Sequence, residues 1–296
     1  MIYAGIVTFE PELLRLHENL GAIHPQVDAV VIWDNGSRNI EDVRELAAAF
    51  ERTTLLESAN NVGIAAALNR LAESALDAGA SWLVTLDQDS VSPPRMVEHL
   101  LEAATTEAAA IVTPHIIDRN KGSLESAGLE RLPATEHYRQ PARRGAITSG
   151  SLVRLSAWND VGGFDERFFI DYVDYDFNQR ILDSGHSIVR SNRTHLLHEV
   201  GRAKATWLRI PRKDLSGRWR LERFYSFGHS PFRCYYKARN RVMFSRKYGR
   251  KLGLTHEGVW QLPQQIALTV LFEDQRGAKL RAFLKGIRDG MRESID

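Results

Sequence analysis

Apolar and polar positions follow two alternating rhythms over the first 115 residues. Short apolar runs at 2–8, 29–33, 53–57 and 82–86 are bounded by turn-forming residues, which predicts buried strands. Between them lie stretches with helical spacing: 11–20, opened by Pro11; 40–51; and 64–75, where Ile64, Leu68, Leu71, Ala72 and Ala75 share one face. Such alternation predicts a mostly parallel sheet covered by helices on both sides, an α/β fold. A further helix is expected after Pro93-Pro94 and a strand at 109–112. From 118 to 144 the rhythm gives way to polar, charged and Gly/Pro-containing sequence, a long connection of the kind that builds a binding wall. Strands at 146–155 and 187–190, a helix-to-loop junction at 158–164 and a helix at 173–184 follow. Beyond 205 the pattern reads as mostly helical, with an amphipathic segment at 259–272 that Pro263 interrupts.

The strand ends carry the candidate chemistry. Open α/β sheets bind ligands beyond the carboxyl ends of their strands. Asp87-Gln88-Asp89 stands there after the run 82–86, and a pair of carboxylates is the minimum that Mg²⁺ or Mn²⁺ takes from protein when phosphate and water supply the rest. An Asp pair alone is more often a turn or a cap, so the motif gains weight only from its surroundings. Asp34 closes the second strand in Asp34-Asn35-Gly36-Ser37, where it can face a base or a ribose, or simply organise an Asx-turn. Asn60, Asn61 and Gly63 precede a helix N-terminus, a place for an anion or for plain capping.

A second acidic cluster, Asp171-Tyr172-Val173-Asp174-Tyr175-Asp176, follows Gly162-Gly163-Phe164-Asp165-Glu166 and Phe168-Phe169. In the first turn of the 173–184 helix, Asp174 gains from the helix dipole in its ionised form, which suits a base. Dipole compensation alone accounts for Asp174 and Asp176 but not for Asp171 and the aromatics. His198, after Leu196-Leu197, is a candidate metal ligand, although a lone histidine is more often structural; His195 is the weaker alternative.

Composition adds one asymmetry. The net charge of +2 hides a basic C-terminal third: residues 201–251 hold sixteen Lys or Arg against Asp214 and Glu222. Aromatics are interleaved there, a pattern that fits nucleic acid, anionic lipid headgroups or a diphosphate, with an ordinary solvated face as the plainer reading. With 296 residues and 43% hydrophobic content the chain can bury a sizeable core, and its single cysteine, Cys234, forms no internal disulfide. A reducing cytoplasm is the expected setting, because the start lacks a signal-peptide pattern. No 18-residue apolar run predicts a membrane span.

Taken in order, these segments resemble the inverting, nucleotide-diphospho-sugar glycosyltransferases of family 2. The likeness covers about residues 1–201 and rests on Ile2 to Phe9, Val31 to Ser37, Asn60 to Asn69, Leu86 to Ser90, Gly162 to Glu166 and Asp174 to Arg180. Phe169 to Asp174, Leu197 to Gly201 and His229 to Asn240 look more narrowly like the bacterial rhamnosyltransferases that use dTDP-L-rhamnose. The resemblance implies a GT-A fold: a Rossmann-like nucleotide-binding half with a mixed sheet, and a mostly helical C-terminal extension. The domains expected are 1–204 as the catalytic domain, with 1–115 the nucleotide-sugar half and 116–204 the acceptor half, and 205–296 as a basic region for acceptor or membrane contact.

It also implies roles. Thr8, Asp34, Asn61, Gly63 and Asp87 would bind the nucleotide sugar, and Arg180 would neutralise phosphate or brace its helix. Asp87, Asp89 and His198 would hold Mg²⁺ or Mn²⁺. Asp174 would be the general base; many relatives have Glu-Asp where this chain has Val173-Asp174, so Asp171 is a substitute candidate. The implied reaction moves L-rhamnose from dTDP-β-L-rhamnose, with inversion, to a glycan or lipid-linked glycan acceptor such as lipopolysaccharide core or O-antigen. The enzyme would be cytoplasmic and peripheral at an anionic membrane surface. Nucleic acid is disfavoured as a partner. Two other readings stand beside it: a haloacid-dehalogenase-like phosphatase using Asp87 and Asp89, and a non-enzymatic sugar- or nucleic-acid-binding protein.

Overall fold

Strand β1 (Ile2–Thr8) lies at the middle of a parallel quartet, between β2 (Ala29–Asp34) and β4 (Trp82–Asp87), with β3 (Thr53–Glu57) outside β2. The chain therefore runs outward through β2 and β3 and then crosses back to the other side of β1, which makes the β1/β4 boundary a topological switch point. Register aligns Thr8 with Asp34 and Val7 with Asp87, so the three strands deliver their last residues to one edge.

The computed structural model describes residues 1–118, 132–138, 146–198, 204–213, 219–226, 228–252 and 257–295. Most of the long connection expected at 118–144 lies outside the described residues, as do 199–201. Two compact units are present: Met1–Phe169 with Val173–Glu199, and Ile170–Tyr172 with Val200–Asp296.

In the first unit, strands β5 (Ile111–Asp118), β6 (Thr135–Tyr138), β7 (Leu152–Arg154) and β8 (Ile188–His198) extend the quartet to one mixed sheet, eight strands among the described residues, in the order β3-β2-β1-β4-β7-β5-β8-β6, with β7 running antiparallel to both neighbours. Helices α1 (Leu13–Ile23), α2 (Ile40–Ala48), α3 (Ile64–Asp77) and α4 (Met96–Thr106) bury their apolar stripes on the sheet; Leu16, Leu20 and Ile23 pack with Ile6 and Ile32, all five essentially inaccessible. A short helix α5 (Leu155–Asp160) and α6 (Val173–Asp183) follow.

Several boundaries differ from the sequence pattern for identifiable reasons. The strand expected at 146–155 shrinks to three residues, because Thr148, Ser149 and Gly150 turn to bond the β4 edge: Gly150 N–H donates to Thr85 O (2.6 Å) and the Thr85 hydroxyl to Thr148 O. β8 runs to His198, far beyond 190, since a bulge opposite Pro114/His115 absorbs its polar stretch Asn192-Arg193-Thr194 and lets pairing resume at His195.

The second unit is not wholly helical. An antiparallel ribbon pairs β9 (Lys204–Lys213) with β10 (Trp219–Ser226); in β9, Thr206, Leu208 and Ile210 are half-buried while Trp207 and Arg209 are exposed. That period-two alternation was legible, but the basic residues masked it. Helices α7 (Pro231–Leu252), α8 (Leu262–Phe272) and α9 (Arg276–Arg292) follow. Pro263 sits in the first turn of α8, where a missing N–H costs nothing, so it starts the helix and does not interrupt it. Cys234, Ala238 and Val242 of α7 pack with Leu262 and Phe283 as the core of this unit.

Candidate active site

At the switch point, the carboxylates of Asp87 and Asp89 and the ring of His198 offer one donor atom each within 4.8 Å of one another. His198 Nδ1 lies 3.8 Å from Asp87 Oδ2, the scale of two ligands flanking one cation (about 3–4 Å apart when each is about 2.1 Å from it). The set of two hard carboxylates and one imidazole, half-buried and open to further oxygen ligands, fits Mg²⁺ or Mn²⁺.

Buried polar residues hold these ligands. The Ser149 hydroxyl accepts the Asp87 N–H (3.0 Å) and bonds the Ser90 hydroxyl (2.8 Å), which reaches His198 Nδ1 (3.2 Å). Residues Val91 and Leu197 exchange backbone bonds and clamp the DxD loop to the end of β8. Asn19 of α1 donates to Asp87 O (2.6 Å), and Gln88 Oε1 accepts the Phe9 N–H (2.8 Å). His195 is three residues earlier in the strand, on the opposite face from His198. Burial keeps its pKa below the ordinary histidine value.

Asp34 is 1% exposed and accepts four hydrogen bonds: Gly36 N–H (3.0 Å) and Ser37 N–H (2.8 Å) on Oδ1, the hydroxyls of Thr8 (2.9 Å) and Ser37 (2.6 Å) on Oδ2. Four bonds use the acceptor capacity of a carboxylate, so Asp34 and Thr8 shape the 34–37 turn in this structure. Beside it, Asn61 Oδ1 accepts the Gly63 N–H (2.9 Å), Asn35 Oδ1 accepts the Val62 N–H (2.9 Å), and Phe169 O caps α3 through the Ile64 N–H (2.7 Å). Gly63 has φ +89°, and a Cβ there would stand 2.7 Å from the Phe169 ring and carbonyl oxygen, so only glycine lets the two loops close up.

Asp174 occupies the first turn of α6, half-buried, with Oδ1 accepting the Tyr175 N–H (2.9 Å). It lines a small recess with Thr148, Phe164, Phe177 and Asn178. Two turns along, Arg180 grips the fully buried Asp176 (2.8 Å) and donates to Val161 O (2.7 Å) and Gly163 O (2.6 Å). Of the two roles open to Arg180, these contacts are those of a brace. Asp171 belongs to the second unit, where both its oxygens accept from Arg233 (3.0 and 3.2 Å) at a left-handed backbone position, φ +61°.

Sequence reasoning gave no role to Ser90, Ser149, Asn19 or Asn69, although Ser90 and Asn69 stand in segments that carry the resemblance. Asn69, buried, accepts the Phe164 N–H (2.7 Å) and donates to Phe164 O (2.9 Å) and Glu166 (3.0 Å), tying α3 to the Gly163–Glu166 loop. One signal was available: Asn19 and Asn69 interrupt otherwise apolar helix faces, and a buried amide on such a face needs partners.

A family model described as "Glycosyl transferase family 2" matches residues 6–157. The chain is 31% identical to dTDP-rhamnosyl transferase RfbF of Shigella flexneri, across 83% of this chain and 80% of the relative. It is 30% identical to N-acetylglucosaminyl-diphospho-decaprenol L-rhamnosyltransferase of Mycobacterium tuberculosis, across 82% of this chain and 94% of the relative. Among solved structures, GalNAc-T7 with UDP, GalNAc and Mn²⁺ superposes with a TM-score of 0.58 at 12% identity, covering 99% of this chain and 56% of that one, a likeness of GT-A fold alone.

Proposed function

The chain belongs to glycosyl transferase family 2, and on that premise we propose that it transfers L-rhamnose from dTDP-β-L-rhamnose to a hydroxyl of a bacterial surface glycan, inverting the anomeric carbon. As a glycosyltransferase it is neither the phosphatase nor the purely binding protein that the sequence left open. One observation carries the proposed chemistry: Asp87, Asp89 and His198 converge at the switch point of the sheet. The rhamnosyl donor is supported by the names of the two relatives.

In this reading Asp87, Asp89 and His198 would hold Mg²⁺ or Mn²⁺ beside the donor diphosphate, where the charge that develops on the departing nucleotide would be neutralised. The 34–37 turn organised by Asp34 and Thr8, with Asn61 and Gly63 beside it, is the proposed cradle of the nucleoside and ribose. Asp174 takes the proton of the acceptor hydroxyl as its oxygen bonds to the anomeric carbon; the bond to the diphosphate oxygen breaks and its electron pair leaves with dTDP. Asp171 is the weaker base candidate, because a carboxylate in a bidentate guanidinium pair gains little by taking a proton.

The proposed acceptor is a glycan or lipid-linked glycan of lipopolysaccharide or O-antigen type. Residues 1–204 would form the catalytic domain and 205–296 the acceptor- or membrane-facing region of a peripheral enzyme at the inner face of the cytoplasmic membrane. No helix among the described residues is long and apolar enough to cross a membrane.

An acceptor-free assay tests the stereochemistry. Slow hydrolysis of dTDP-β-L-rhamnose followed by proton NMR should yield α-L-rhamnose first, before mutarotation; β-L-rhamnose as the first product contradicts a single inverting displacement.

A further inference from the structure

Helix α9 has two apolar faces, and its own unit uses one. Phe283 is buried in the core of the second unit, and Gly286 and Gly290 lie against the backbone of α7, where a Cβ on Gly290 would stand 2.5 Å from Arg239 O. With about 100° of rotation per residue, Leu280, Leu284 and Met291 fall together on a neighbouring arc, and Ile287, which packs against that core, marks its inner border. Leu280, Leu284 and Met291 are 39%, 57% and 57% exposed. The next arc carries Arg281, Lys285, Arg288 and Arg292, and the only acid in the helix is Asp289, which pairs with Arg288. Arg281 and Arg292 have no ion-pair partner among the described residues.

We infer that this stripe is a bilayer contact: α9 lies in the headgroup layer of an anionic membrane, with Leu280, Leu284 and Met291 toward the acyl chains and Arg281, Arg288 and Arg292 on lipid phosphates. An apolar arc edged by cations is the arrangement of an interfacial helix. Charge decides between occupants, since a second copy docked on the same stripe would set one cationic arc against the other, whereas anionic lipid complements it. The preceding helix also exposes apolar side chains. α8 contains no charged residue and exposes Leu271, and Trp260 just before it is 68% exposed. The inference locates the membrane contact of the proposed function on one helix, and it depends on neither the donor nor the metal.

Co-sedimentation of the full chain with vesicles of phosphatidylcholine alone, or with added phosphatidylglycerol, tests it. Retention on the anionic vesicles, weakened by salt, is expected. Leu284→Glu with Met291→Glu should abolish retention, and Arg281→Gln with Arg288→Gln and Arg292→Gln should weaken it about five-fold per cation removed. Thermal unfolding of each variant as in the parent chain shows that the fold survives. No retention of the parent, or equal retention of the Glu variant, overturns the inference. So does a solution dimer that the Glu variant splits, which would make the stripe a subunit interface. Retention by a chain that binds no nucleotide sugar would sustain this inference and defeat the donor assignment.

Discussion

His198 and Asp87 end two parallel-running strands of one sheet, and the ring nitrogen of the one stands 3.8 Å from the carboxylate of the other. Nothing local brings them together; the β5–β8 ladder carries His198 to the edge where β4 releases Asp87. If both are metal ligands, His198→Ala should weaken Mn²⁺ binding at least about ten-fold and leave the melting temperature within a few degrees. Titration of Mn²⁺ with thermal unfolding alongside checks both numbers.

The proposed base, Asp174, and its substitute candidate, Asp171, are separable by kinetics. Asp174→Asn should lower kcat about 10²–10⁴-fold while donor affinity stays, since a base acts on the acceptor. Asp171→Asn breaks the Arg233 pair away from the proposed base, so a loss of about ten-fold or less is expected. Steady-state kinetics with donor titration distinguish the two.

The Arg180 brace predicts a stability effect. Asp176→Asn leaves a guanidinium without its buried carboxylate and should cost about 3–5 kcal/mol in denaturant unfolding. Donor KM should not move; a large rise in KM would restore Arg180 to the phosphate.

Gly63→Ala puts a methyl group on the Phe169 ring at a left-handed backbone position. A loss of about 1–3 kcal/mol follows, read from the denaturation midpoint.

His229 gives the second unit a pH dependence. Burial, and then the cations of Lys237 and Arg233, push its pKa from the ordinary 6.5 down to about 4, against smaller upward pulls from Asp171 and Glu273. Its ring accepts from Lys237 Nζ (2.8 Å), which requires the neutral form. Between pH 4 and 6.5 the unfolded chain binds the proton that the folded chain refuses, so stability rises with pH across that window and falls on acidification. Thermal unfolding from pH 7 to 4 should show the decline, and His229→Gln should flatten it.

The parallel half of the fold was legible because β1, β2 and β4 are buried on both faces and its helices keep one apolar stripe, so pattern and burial coincide. The acidic strand ends were legible for the same reason. Long-range contact hid the rest: β7 is short because its neighbours Ser149 and Gly150 serve the β4 edge, and β8 is long because a bulge rescues its pairing. The brace at Arg180 and the pair at Asp171 are set by partners that no local pattern names. The β9–β10 ribbon was missed because cations and aromatics dominated a real alternation.

The central claim is a metal-dependent site for dTDP-L-rhamnose at Asp87, Asp89 and His198. Calorimetric titration with dTDP-β-L-rhamnose, with and without Mn²⁺, beside UDP- and GDP-sugars and the Asp89→Asn variant, tests it most directly. The account predicts tight binding only with the cation, selective for the dTDP sugar and lost in the variant. Equal binding without metal, or unchanged affinity in Asp89→Asn, would contradict it.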